Sequence, residues 1–425
     1  MTDIVVVVRL LVVLLLIALL VILVTRRLSV PYTLGLVVVG LVISIFIQGY
    51  SIHLTPELVL FVFLPALLFE GAWSASVRIL RQNWLSVLLL AGPGVLLEVV
   101  LIAVPLHFLT GLDWGDAFLL SAILSPTDPV AVLGLFRQLK VDKELSTIIE
   151  GESLFNDGIA GALYEIFLSG VLIATHGQAP TAQQGGQGIQ SLMALLGGVW
   201  SFMIISGGGA LIGGLCGFLI SRAVRFIDDA LIETTITIVA AYGVYLLADF
   251  LHTSGILAVI VAGLIIGSYG QSHGMSEVTR EAVDNFWSIL AFVANALVFL
   301  LVGVQLNPTH FLSLPNALPL LSTAGLVIIA VLVARIIMVA LLPQGLPPAP
   351  GTRLRSWRFV IFWSGLRGAL SLALVLALPM EVPDRSTLVF STYAVVLFTL
   401  LVQGFSLRWL LKRLALVPRV PIVPK

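Results

Sequence analysis

Two short stretches carry the side chains that could handle an ion. One is Ser125-Pro126-Thr127-Asp128-Pro129; the other runs from Glu152 and Ser153 to Asn156 and Asp157. Both lie inside long apolar runs. A charged side chain in hydrocarbon costs on the order of 2.5–3.5 kcal/mol even on the gentlest scale, so it persists only with a partner, a water-filled cavity or an ion to bind. Two prolines three residues apart each remove a backbone donor and obstruct an upstream carbonyl. The helix is therefore expected to break at Thr127 and Asp128. Freed backbone groups at that depth are tolerated only when buried in protein or lining a cavity. Carbonyls, hydroxyls and a carboxylate are hard oxygen donors, suited to an alkali cation or a proton.

The second stretch reads as a continuous helix. At about 100° per residue, Ser153 and Asp157 share one face, and Glu152 and Asn156 share the neighbouring face. Asp157 and Asp128 fall at similar depth, so two carboxylates can meet with Ser153 and Thr127 as neutral donors. A carboxylate in a partly dehydrated site has a raised proton affinity, and a cation beside it lowers that affinity. Proton and cation then compete for one group, which suffices for exchange. Asn156 adds polarity without charge and is expected to hold the broken segment by hydrogen bonds. The bland alternative is a polar cluster that only fastens helices.

A third stretch, Gly365-Leu366-Arg367-Gly368, places a guanidinium deep in an apolar run. It cannot deprotonate, so it needs a buried anion. Glu152 is the expected partner, in a structural pair that leaves Asp157 free; the competing role is attraction of an anionic substrate. The flanking glycines allow a close backbone approach or a second break. Glu70 reads as an ion ligand at the base of an inward funnel or as a rim charge. Glu98 and Glu165 read as relay acids or helix-end residues, Tyr164 as a residue of the external path, and Asn295 as interhelical glue.

The elements that must position these groups are membrane helices. The chain is 59% hydrophobic and only 10% charged, with mean hydropathy +1.12, whereas a soluble domain carries about 25% charged residues. Segments of roughly 20 apolar residues are expected near 4–24, 30–48, 56–74, 84–109, 115–136, 145–174, 191–221, 231–250, 254–270, 284–306, 314–342, 358–379 and 387–411, thirteen in all. Most Lys and Arg residues fall in alternate connections, such as Arg26 and Arg27, Arg78 and Arg81, and Arg137, Lys140 and Lys143. The positive-inside rule then predicts the N-terminus outside and the C-terminus inside. Residues 175–190, rich in Gly, Gln and Ala, read as an external linker. Six spans, one, and six more would form two inverted six-helix repeats, with the broken spans five and twelve crossing at the site. The reading is of an all-α membrane protein: one transmembrane unit, retained in the membrane as a multi-pass protein.

Other classes recede. A net charge of zero implies no nucleic-acid partner, and the single cysteine, Cys216, excludes an internal disulfide. No GxSxG or HExxH pattern points to an enzyme, and no cofactor is implied. A cation channel would need a continuous pore, whereas one carboxylate within an apparent inverted repeat suits a carrier.

The strings "SPTDPVAV" from Ser125, "ESLFNDG" from Glu152, "SGILAVIVAG" from Ser254 and "GLRGALSLAL" from Gly365 resemble the monovalent cation/proton antiporter family 1, of NhaP/NHE type, over essentially the whole chain. The resemblance implies sodium or lithium exchange for protons, with potassium/proton exchange as the alternative. It implies a homodimer, with lipid able to sit at its interface, in which each protomer has a dimerisation domain and a mobile core working by elevator-type alternating access. It assigns ion and proton binding to Asp157 with Asp128, Thr127, Ser153 and Glu70, sodium being held at Asp157, Ser153, Thr127 and Glu70. It assigns Glu152 and Arg367 to a stabilising pair. The Asn156-Asp157 sequence resembles the electroneutral branch. The absence of a long cytosolic tail resembles prokaryotic members, which implies a plasma-membrane location.

Overall fold

Apolar runs interrupted by proline and glycine determine where helices begin and end. The computed structural model describes residues 2–28, 31–46, 58–175, 187–305, 317–341, 354–414 and 416; among these residues every regular element is helical. In chain order the helices are α1 (Thr2–Leu28), α2 (Tyr32–Phe46), α3 (Val59–Ser74), α4 (Val77–Gln82), α5 (Trp84–Ala91) and α6 (Pro93–Thr110). Then come α7 (Trp114–Leu124), α8 (Val130–Leu139), α9 (Lys143–Thr175), α10 (Gln187–Val224), α11 (Ala230–Phe250) and α12 (Gly255–Gly270). The last are α13 (Glu277–Gln305), α14 (Ala317–Leu341), α15 (Leu354–Trp363), α16 (Ala369–Leu376) and α17 (Arg385–Arg413). Among the described residues eight stretches are long and apolar enough to cross a membrane, and α2, α3, α7, α8 and α12 are shorter apolar helices.

The apolar side chains are divided between inside and outside as a bilayer requires. Leu16, Val24, Leu211, Leu215 and Phe218 are exposed, where lipid tails can meet them. Inside, small residues bring backbones together, the usual route to helix association in lipid. Gly40 of α2 faces Gly303 of α13, and a Cβ built at Gly40 would lie 2.8 Å from the Gly303 Cα. Gly213 of α10 sits against Ala258 of α12 in the same way, at 2.9 Å from its Cα.

Two segments leave helical geometry mid-way. After α7, residues 126–129 are irregular before α8 begins; after α15, residues 365–368 are irregular before α16 begins. The proline pair accounts for the first interruption, since Pro126 and Pro129 have no N–H to continue the ladder. The two interruptions touch: the Asp128 N–H donates to the Leu366 carbonyl at 2.7 Å. Any side chain at Gly368 would overlap the Asp128 carboxylate, so the approach requires glycine there. Between these pairs α9 runs unbroken for 33 residues.

The linker expected at 175–190 is shorter than its composition suggests. Thr175 still belongs to α9 and 187–190 to α10, and 176–186 lie outside the described residues. Gln187 and Gln190 are good helix formers, so the glycine-rich composition overstated the irregular stretch at its edges.

Candidate functional site

The unwound segment 126–129 is fastened to α9 by side chains. The Thr127 and Ser153 hydroxyls lie 2.8 Å apart. The Asn156 amide donates to the Thr127 hydroxyl at 2.8 Å, and the Thr127 N–H points back to the Asn156 side-chain oxygen at 3.5 Å. Asp128 caps the next half-helix, accepting from the Val130 N–H at 2.9 Å. Its carboxylate thus stands at the start of α8 and, through Gly368, against the start of α16. Both are positive helix ends, where a carboxylate is favoured.

These residues line one cavity of about 540 Å³, together with Asp157, Glu70 and Glu150. The lining continues to Arg26 and Arg137, both exposed, so the cavity reaches the surface at the basic end of the molecule. Asp157 Oδ1 and Asp128 Oδ2 are buried with no hydrogen-bond partner among the described residues. An unpaired buried carboxylate oxygen is costly unless something binds it. Next to Asp157, α9 packs closely on α12. A Cβ at Gly158 would come 2.8 Å from Leu257 of α12, and one at Gly161 2.5 Å from Ile256.

Two buried ion pairs flank the site, and they differ from the pair expected between Glu152 and Arg367. Glu152 binds Arg335 of α14, and Arg367 binds Glu98 of α6. All four residues are no more than 3% exposed. Arg367 also donates to the Ser125 carbonyl at 2.7 Å and the Pro126 carbonyl at 3.1 Å, so its charge is spent on the carbonyls freed at the end of α7 and on the nearest acid, Glu98. Arg335 lies against Gly365, 2.9 Å from a Cβ built there, and donates to the Ile361 carbonyl at 3.3 Å. The signal available in the sequence was a count. Arg335 sits deep in its apolar run as Arg367 does, so two guanidiniums need two acids, and the count leaves Glu98 and Glu165 as the candidates for the second.

Known proteins resemble this chain in sequence and fold. The family described as "Sodium/hydrogen exchanger, transmembrane" matches residues 12–413. The chain belongs to this family. It is therefore a transporter and not an enzyme, and an integral multi-pass membrane protein. The Na(+)/H(+) antiporter ApNhaP of Aphanothece halophytica is 38% identical over 394 residues, covering 92% of this chain and 70% of that protein. The low-affinity Na(+)/H(+) antiporter NhaS1 of Synechocystis is 37% identical over 399 residues, covering 92% of this chain and 71% of that one. The structure of the sodium proton antiporter MjNhaP1 from Methanocaldococcus jannaschii superposes with a TM-score of 0.73 at 17% identity, covering 96% of this chain and 98% of that one. At that identity the match speaks for the all-helical fold alone.

Proposed function

We propose that this transporter exchanges sodium, or lithium, for protons across a prokaryotic plasma membrane, the two competing for Asp157. One observation carries the reading. The partnerless Asp157 oxygen shares a cavity with the Thr127 and Ser153 hydroxyls, and that cavity reaches the basic end of the molecule. A desolvated carboxylate with neutral oxygens beside it can take a small hard cation or a proton. Glu70, on the same cavity wall, is a further ligand. Glu152, Arg367 and Asn156 keep the site in shape, the first two through separate ion pairs. The antiporter names of the relatives favour sodium as the cation.

The cycle is alternating access by elevator-like movement, in which one cation replaces one proton and no net charge crosses. The cavity that runs from Asp157 to the basic end of the molecule supports it. The topology in this reading has thirteen passes, leaving out the short α4 and counting α5 with α6, α7 with α8 and α15 with α16 as single spans. It has inverted repeats, an external N-terminus and an internal C-terminus, and a homodimer built on a dimerisation domain beside a mobile core. The test is proton flux in sealed proteoliposomes carrying a pH gradient. Dissipation by sodium and lithium, indifferent to a clamped potential, is the expected result. Dissipation by potassium alone changes the cargo, a current removes electroneutrality, a current that persists without a proton gradient or exchange changes the class to a channel, and silence with every cation defeats the proposal.

A further inference from the structure

Asn295 is a polar group of the cavity that the site described above does not use. It lies on α13, is 6% exposed, and lines the cavity that holds Asp157 and Asp128. No hydrogen bond joins its side chain to any described residue, so it does not act as interhelical glue among them. Its amide opens onto the cavity, where water or a bound ion can supply the partner that the described residues do not. One turn earlier Phe292 packs against Tyr32, with ring centroids 5.4 Å apart; two turns earlier Ser288 lines the same cavity. The Gly40–Gly303 crossing holds α13 against α2. Asn295 therefore stands on a wall made by α2 and α13, whereas Asp128, Thr127 and Asp157 come from the interrupted segment and α9.

We propose that Asn295 is a further cation-binding residue, giving its amide oxygen, directly or through one water, to the ion entering from the basic side. An amide oxygen is a neutral hard donor, so it adds ligation without a second charge and leaves one carboxylate to exchange one proton. Because it belongs to a different wall, it contacts the ion only while the cavity is open on this side. Its removal weakens binding from the cytoplasm and spares binding from outside.

The inference rests on the cation/proton reading, and everted and right-side-out vesicles test both. Wild type in everted vesicles should dissipate an imposed pH gradient on adding sodium; failure with sodium, lithium and potassium alike overturns the exchange reading and this inference with it. If only potassium acts, the same comparison is run with potassium. In everted vesicles Asn295→Ala should raise the cation KM about fivefold, the scale of one neutral hydrogen-bonding contact, with kcat nearly unchanged. Asn295→Ser, which keeps an oxygen, should recover much of the affinity and also serves if the alanine variant fails to fold. In right-side-out vesicles the KM should stay near wild type. An unchanged KM in everted vesicles overturns the inference alone. Equal rises in both orientations, accompanied by a lowered melting temperature, would mean that Asn295 acts only through packing.

Discussion

Asn156 holds Thr127 by its side-chain amide, at 2.8 Å across from α9 to the interrupted segment. The same hydroxyl lies 2.8 Å from Ser153. Asn156 donates to a residue that also faces the cavity, so its chemistry is coupled to where the Thr127 oxygen sits. Asn156→Ala should misplace that oxygen and lower exchange by an order of magnitude or more, roughly the effect of losing a geometry-setting contact. Asn156→Asp should stay electroneutral, because an added carboxylate can accept from the Thr127 hydroxyl or remain protonated. Proteoliposome flux with and without a potassium/valinomycin clamp checks both; an Asn156→Asp variant that carries current would sink the second statement.

The two ion pairs predict a specific pattern of stability. Glu152→Ala strands Arg335, and breaking a buried pair from one side costs about 3–5 kcal/mol. The double variant Glu152→Ala, Arg335→Met removes both charges and should recover much of that loss. Thermal melts of detergent-purified protein, assembled into a double-mutant cycle with Arg335→Met, give the coupling. A Glu152→Ala protein as stable as wild type would show that the pair contributes nothing to the fold.

Arg367 makes a sharper case, because it serves an anion and two carbonyls at once. Lysine keeps the charge but lacks the planar fork that reaches several acceptors. Arg367→Lys should therefore fold poorly or transport at a small fraction of the wild-type rate, and Glu98→Gln should resemble it more than Glu152→Gln does. If instead Arg367→Lys matches wild type in flux and melting temperature, the multi-acceptor role is wrong.

How much of this was readable beforehand depends on the kind of interaction. The interruption at Pro126 and Pro129 follows from local covalent chemistry, and the Ser153–Asp157 face follows from helical period, so both are visible in one sequence. The partner of Arg367 is not, because it depends on which helices become neighbours. Glu98 lies 269 residues from Arg367, and nothing local distinguishes it from Glu152 as the acid in reach. The misreading of Asn295 has the same origin. An amide in a helix rich in small residues is a hydrogen-bonding group in search of a partner, and only the packing of α13 shows that it faces a cavity.

The strictest prediction concerns Asp157 itself. Asp157→Asn keeps the volume and polarity of the side chain and removes its ability to exchange a proton or to neutralise a cation. Asp157 makes no ion pair among the described residues and its Oδ1 has no partner, so the substitution strands no countercharge. The protein should fold with a melting temperature at or above that of wild type, and an uncompensated buried charge would be gone. Exchange should fall below detection in proteoliposomes. Sodium should also cease to raise the melting temperature, a shift that wild type should show through ligand linkage. The combination separates a functional carboxylate from a structural one. A folded Asp157→Asn protein that still exchanges sodium for protons would move the titrating group elsewhere in the cavity, with Asp128, Glu70 and Glu150 the other carboxylates on its wall.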